Sequence, residues 1–135
     1  AAAIPVFGVC RGLHMINAHF GGRVRADIRD ELPVVGNHVA CRHSITLTGG
    51  FAEWLGTTAE TNSYHRQGVA VADLAPDLGS FAVSVDGIVE GLVHRQLPIL
   101  AVQWHPERAG SCSELDGKLV ARLLIQLAFW KEWFK

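Results

Sequence analysis

The chain has 135 residues, 49% of them apolar and 19% charged, with a formal net charge of −1. That length and apolar content suit one packed domain and exclude global disorder, and a near-neutral chain lacks the basic footprint of a nucleic-acid binder. No run of about eighteen uncharged apolar residues and no basic-then-apolar leader is present, so neither a membrane span nor a signal peptide is expected.

The first predicted element is Ile4-Pro5-Val6-Phe7-Gly8-Val9, a short strand apolar on both faces. It follows Ala1-Ala2-Ala3 with no polar lead-in. Buried parallel strands have neighbours on both sides, so residues 1–135 are expected to be a single partial domain, the C-terminal part of a larger one. A helix is predicted over Arg11–Phe20, with Leu13, Ile16 and Phe20 on one face and Gly21-Gly22 as its stop. Residues 23–37 read as a surface loop, and His38–Thr48 alternates loosely as a half-buried strand. Gly49-Gly50 breaks that strand before a helical turn at Phe51–Leu55.

Further strands are expected at Thr58–Tyr64, Phe81–Val85, Ile88–Val93 and Ile99–Trp104, with Asp86-Gly87 as a hairpin turn. A closing helix runs from Glu114 to about Trp130. Its expected buried stripe is Leu115, Leu119, Val120, Leu123, Leu124 and Leu127, with Ser113 and Asp116 as a capping box. The order of strands and helices predicts an α/β layer protein.

Three cysteines without a CxxC pair point to free thiols in a reducing compartment, and hence to a cytoplasmic protein. One of them stands in Gly8-Val9-Cys10-Arg11-Gly12, at a strand-to-helix junction. A nucleophile on such a bend needs small neighbours, and the following helix N-terminus favours a thiolate and offers the Arg11 amide to an oxyanion. A buried cysteine in a glycine-rich turn is the plain alternative for the pentapeptide alone. A base and an orienting group come from Trp104-His105-Pro106-Glu107. Extended geometry before Pro106 puts His105 and Glu107 on one side of the chain.

These two motifs resemble the signature of the class I glutamine amidotransferase superfamily. Asn62-Ser63-Tyr64-His65-Arg66-Gln67-Gly68-Val69 narrows the resemblance to the gamma-glutamyl hydrolase branch, of the gamma-glutamyl-gamma-aminobutyrate hydrolase type. Asp86-Gly87-Ile88-Val89-Glu90 and Ala101–Arg108 add to it. The resemblance implies an open, mostly parallel sheet flanked by helices with a flavodoxin-like core, lacking its N-terminal part. It also implies a Cys10–His105–Glu107 triad that cleaves a gamma-glutamyl amide through a thioester, with the Arg11 amide in the oxyanion site. His14, Asn62, Ser63, Tyr64 and His65 would lie by a small-molecule gamma-glutamyl substrate. His14 stands where the family commonly has Gln. No cofactor is implied, and the elements that supply a second oxyanion donor in the family would be missing, so the isolated chain is expected to be catalytically weak.

Other readings compete with this one. Seven histidines raise zinc, yet His14/His19 and His38/His43 are each five apart and lack helical ligand spacing, so no metal is expected. An α/β-hydrolase with a cysteine elbow would need its acid well before the histidine, a role for which Asp73, Asp77 and Asp86 have no supporting context. Within the family, the alternatives to a hydrolase are a non-catalytic relative and an ammonia-supplying amidotransferase subunit. The segment around His38–His43 resembles bacterial members from surface-polysaccharide gene clusters. Neither nucleic acid nor membrane is an expected partner, and an exposed apolar strand edge allows a homo-oligomer.

Overall fold

The structure is a computed structural model that describes residues 3–32 and 35–134. It contains β1 (Val6–Val9), α1 (Arg11–His19), α2 (Ile28–Glu31), β2 (Cys41–Leu47), α3 (Gly49–Leu55), β3 (Thr58–Ser63), β4 (Leu78–Ser84), β5 (Val89–His94), β6 (Ile99–Val102) and α4 (Ser113–Gln126). The strands form one sheet in the order β1-β6-β5-β4-β2-β3.

The α/β class stands, and the sheet is mixed rather than mostly parallel among the described residues. Only β1 and β6 run parallel; β6–β5, β5–β4, β4–β2 and β2–β3 are all antiparallel. The reason is connection length. Parallel pairing needs a crossover of a dozen or more residues, whereas short links join β4 to β5 and β5 to β6. Asp86-Gly87 makes the first link as expected, with Gly87 at φ 85° and its N–H donating to the Ser84 carbonyl at 3.0 Å.

Strand β1 differs from the expectation of burial on both faces. Among the described residues it lies at the sheet edge, and of its four residues only Gly8 is buried while Val6 is exposed. With one neighbouring strand instead of two, its outer edge is uncovered among the described residues, while Phe7 and Val9 pack against an apolar layer. Ala1 and Ala2, which precede this strand, lie outside the described residues. The loop expected at 23–37 contains the short helix α2, whose start is capped by Asp27 accepting from the Arg29 and Asp30 amides.

Two apolar layers sandwich the sheet. One, around Phe51, Phe81, Trp104, Leu119 and Trp130, joins α3 and α4 to one face; the other seats Leu13 of α1 against Leu92 and Ala101 on the opposite face. Helix α4 buries Leu115, Leu119 and Leu123, but Leu124 points outward and Leu127, at φ 49°, ends the helix. The buried stripe is therefore one residue per turn. The capping box is absent as well: Cys112 is the N-cap and makes no side-chain cap bond. Asp116 is instead buried, accepting from the Trp104 indole N–H at 2.7 Å and from the Ser111 hydroxyl. A buried donor on Trp104 outcompetes a solvent-exposed cap for the carboxylate.

Candidate active site

Cys10 sits on the bend between β1 and α1 at φ 50° and ψ −102°, a region side chains rarely occupy. Its N–H donates to the Val102 carbonyl at 2.8 Å, and its carbonyl accepts from Leu13 at 3.0 Å. These bonds tie both sides of the bend to regular structure and hold the strained residue in place. A Cβ on Gly8 would meet Ile16 Cδ1 at 2.8 Å and Ala101 Cβ at 2.9 Å, so the first glycine of the motif lets α1 close on the sheet. A Cβ on Gly12 would meet nothing within 4 Å; only one of the two flanking glycines is a steric requirement.

Because β1 and β6 run parallel and in register, their carboxyl ends meet, and Gln103 lies beside the thiol. The Gln103 Nε2 donates to Cys10 Sγ at 3.4 Å, while its Oε1 accepts from His14 Nε2 at 2.7 Å. The two bonds fix the amide orientation: an oxygen facing His14 leaves the NH2 facing sulfur. Burial pushes the Cys10 thiol above its ordinary range, outweighing the donors at Arg11 and Gln103 and the Arg108 charge that favour thiolate. The helix N-terminus alone does not make a resting thiolate. Burial likewise lowers the His14 pKa, and its Nδ1 has no partner.

His105 follows Gln103 by two residues. Its Nδ1 is in hydrogen-bond contact with Glu107 Oε1, the side-by-side placement expected of an extended segment. Burial alone would raise the Glu107 pKa, but its own amide, His105 and Arg108 hold the carboxyl below the ordinary range. The Tyr64 ring lies 6.0 Å from the His105 ring, edge-on, and the Arg108 guanidinium covers Tyr64 at 4.6 Å. No hydrogen bond joins Sγ to His105 in this arrangement; both sit at the β1/β6 end of the sheet.

The backbone of this segment is held by Asn62. Its Oδ1 accepts from the His105 N–H at 2.9 Å, and its Nδ2 lies 2.9, 3.4 and 3.2 Å from the carbonyls of His105, Arg108 and Ala109. Ser63 is also turned inward, donating to the His38 carbonyl at 2.8 Å. His65 Nδ1 donates to the Gln67 carbonyl at 2.7 Å, and its ring faces Glu90. Of the five expected substrate neighbours, the structure brings His14 toward the thiol through Gln103, and Tyr64 to His105. Asn62 and Ser63 commit their side-chain polar atoms to the protein itself, whereas His65 commits Nδ1 and leaves Nε2 without a hydrogen-bond partner. Motif reading misses Gln103; its signal is a polar residue in the otherwise apolar run Ile99–Trp104, where it is fully buried. Cys41 and Cys112 are free and half-buried, away from this bend.

No helix among the described residues is long and apolar enough to cross a membrane. In sequence, the chain is 33% identical over 129 residues to the glutamine amidotransferase-like protein YvdE of Lactococcus lactis, covering 85% of this chain and 51% of that protein. It is 33% identical over 103 residues to a glutamine-hydrolysing GMP synthase subunit from Methanospirillum hungatei, covering 76% and 50% respectively. The chain thus spans about half the length of these curated relatives. A solved glutamine amidotransferase of Thermotoga maritima superposes with a TM-score of 0.60 at 17% identity, covering 96% of this chain and 56% of that one, which establishes a shared fold. The sequence model of the Peptidase C26 family matches residues 1–107, and the chain belongs to this glutamine amidotransferase-like family.

Proposed function

We propose that the protein cleaves a gamma-glutamyl amide bond with Cys10 as nucleophile, His105 as base and acid, and Glu107 as the group orienting His105. The observation that carries this reading is a cysteine in a strained strand-to-helix bend, at the same sheet end as a His–Glu pair. With Nδ1 engaged by Glu107, Nε2 of His105 is the nitrogen that takes the thiol proton. Sγ then attacks the side-chain carbonyl carbon, and the Arg11 N–H receives the developing oxyanion. Collapse breaks the C–N bond while His105 returns the proton to the leaving nitrogen. Water, deprotonated by His105, opens the thioester and regenerates the thiol. Catalytic hydrogen bonds are commonly loose before substrate binds, so the Cys10–His105 bond is expected to form in the complex. A small-molecule gamma-glutamyl conjugate is the proposed substrate.

A second reading is favoured by specific relatives. The chain is 40% identical over 118 residues to an anthranilate synthase of Azospirillum brasilense, of which it covers 15%, and it matches the GMP synthase protein of Methanospirillum hungatei. In that reading glutamine is the substrate and ammonia passes to a synthetase partner.

The test is incubation with a glutamine-like diazoketone, followed by peptide mapping. Stoichiometric label at Cys10, lost in Cys10→Ser and slowed in His105→Ala, supports the nucleophile. Label at Cys41 or Cys112, or none, sinks it. Turnover of gamma-glutamyl amides but not glutamine then selects the hydrolase over the ammonia supplier.

A further inference from the structure

Strand β5 carries a carboxylate that the chemistry above does not use. Glu90 has no solvent exposure, and neither of its oxygens has a hydrogen-bond partner. A register slip puts it there: Val83 lies opposite Val89 and Ala82 opposite Gly91, so Glu90 has no opposite residue on β4. Bulges of this kind re-aim a side chain. Around Glu90 Oε1 stand three imidazole nitrogens from three other segments: His38 Nδ1 at 3.5 Å, His43 Nε2 at 3.6 Å and His65 Nε2 at 3.6 Å. These are too long for hydrogen bonds. The nitrogens of His43 and His65 have no hydrogen-bond partner either.

The far sides of two of the rings are anchored to the protein. His65 Nδ1 faces a carbonyl at 2.7 Å, which only accepts, so that nitrogen carries the proton. His65 Nε2, without a hydrogen-bond partner, faces Glu90. His38 Nε2 faces the Asp86 carboxylate at 2.9 Å, and its Nδ1, turned to Glu90, also lies 3.4 Å from the Ser63 hydroxyl. Three imidazole nitrogens converging on a buried carboxylate without hydrogen bonds to it leave room for a cation between them. Carboxylate or carbonyl partners behind the rings are the outer supports that orient histidines on a metal. The distances agree with that: Zn–N and Zn–O bonds of about 2.0–2.1 Å in a tetrahedron put ligand atoms roughly 3.4 Å apart.

We propose that His38, His43, His65 and Glu90 bind one divalent transition-metal ion, with Zn2+ the best match to three imidazoles and a carboxylate. The ligand atoms of His38, His43 and Glu90 already lie within 4.8 Å of one another; His65 Nε2, 3.6 Å from Glu90, stands outside that set and must swing inward to become the fourth ligand. A cavity of about 420 Å³ reaches His38 and His65 from the surface, with Asp27, Arg29, Asp30 and Arg66 on its wall, which gives an ion an entry path. Asp86 is a positioning residue, acting through His38. The ion would join β2, β5 and the segments flanking β2 and β3. It lies outside the Cys10–His105–Glu107 chemistry and does not depend on that reading. Linear spacing hides it because the four ligands come from four places in the chain.

The experiment uses the full chain carrying Cys10→Ser and Cys41→Ser, so that thiols near the sites cannot hold metal. After chelator treatment, the protein is equilibrated with Zn2+, dialysed and assayed for zinc by mass spectrometry. About one equivalent is expected, with the visible bands of four-coordinate Co2+ when cobalt replaces zinc. Glu90→Gln and His43→Ala should each abolish retention; His43 is only partly buried, so its variant keeps the test alive if Glu90→Gln fails to fold. Asp86→Asn should weaken affinity by about 10–100-fold without abolishing it. Retention below about a tenth of an equivalent, or equal retention by His43→Ala, overturns the site and leaves an imidazolium–carboxylate cluster in its place.

Discussion

Asn62 ties the stability of the domain to the geometry of His105, and this link can be measured. Its side chain is 1% exposed and holds the His105–Ala109 segment through one acceptor and one NH2 group. The NH2 has two hydrogens for three carbonyls, so at most three full bonds exist in all. Asn62→Ala removes them and leaves the His105 N–H without a partner. At about 1 kcal/mol for each lost bond, the expected loss is roughly 3 kcal/mol of unfolding free energy. With a urea slope of about 2 kcal/mol/M, the midpoint should drop by about 1.5 M. Asn62→Asp is the sharper probe. It preserves size and the acceptor for His105, but turns the donor into a carboxylate oxygen facing carbonyls at 2.9–3.4 Å. The misplaced charge raises the folded-state pKa of that carboxyl. Its penalty is therefore full above the raised pKa and shrinks as pH falls toward about 3.9, because the protonated acid can donate. Urea titrations at neutral pH and near pH 4, paired with Cys10 labelling rates, check this. Midpoints within about 0.3 M of wild type for both variants would refute the clamp.

Three further outcomes are expected. Gly8→Ala drives a methyl to 2.8 Å from Ile16 and 2.9 Å from Ala101, so it should cost about 1–3 kcal/mol and slow Cys10 labelling; Gly12→Ala, with open space, should leave the α1 packing unchanged, and denaturation curves of the two separate them. Trp104→Phe deletes the 2.7 Å bond to buried Asp116 and should cost about 1–3 kcal/mol, read as a lower Tm; an unchanged Tm means that another donor replaces the indole. Alkylation of Cys10 by a neutral reagent should keep accelerating beyond pH 9.0, since burial raises the thiol pKa and only the thiolate reacts; a plateau near neutrality would show a resting thiolate.

What is legible in the sequence is whatever depends on neighbours along the chain. The Gly8–Gly12 bend, the His105–Glu107 contact and the Asp86-Gly87 turn are each encoded within a few residues, and each stands in the structure. Partner choice is not legible. Asp116 has the spacing of a cap but bonds Trp104, because a long-range buried donor competes with a local one. Asn62, Ser63 and His65 form a motif whose polar atoms turn inward, and no local pattern reveals the direction in which a side chain points. Glu90 sits in an apolar strand and Gln103 directly after one, where a polar letter signals burial with a purpose but does not name the partner. The family resemblance implies a mostly parallel sheet, although the short links around β5 already require antiparallel neighbours.

The pairing of β1 with β6 also dictates a timetable. Cys10 and Gln103 are 93 residues apart, so the thiol cannot acquire its neighbour until all of the intervening chain has been made. At about 5–20 residues per second, β1 waits roughly 5–20 s after synthesis for the strand beside it. During that interval an apolar strand has an unpaired edge, and long-range closure is the slow part of folding. The positioned environment of Cys10 therefore arrives late. Until then the nascent thiol is an exposed cysteine of ordinary acidity, and the chain is open to misassociation for the same length of time.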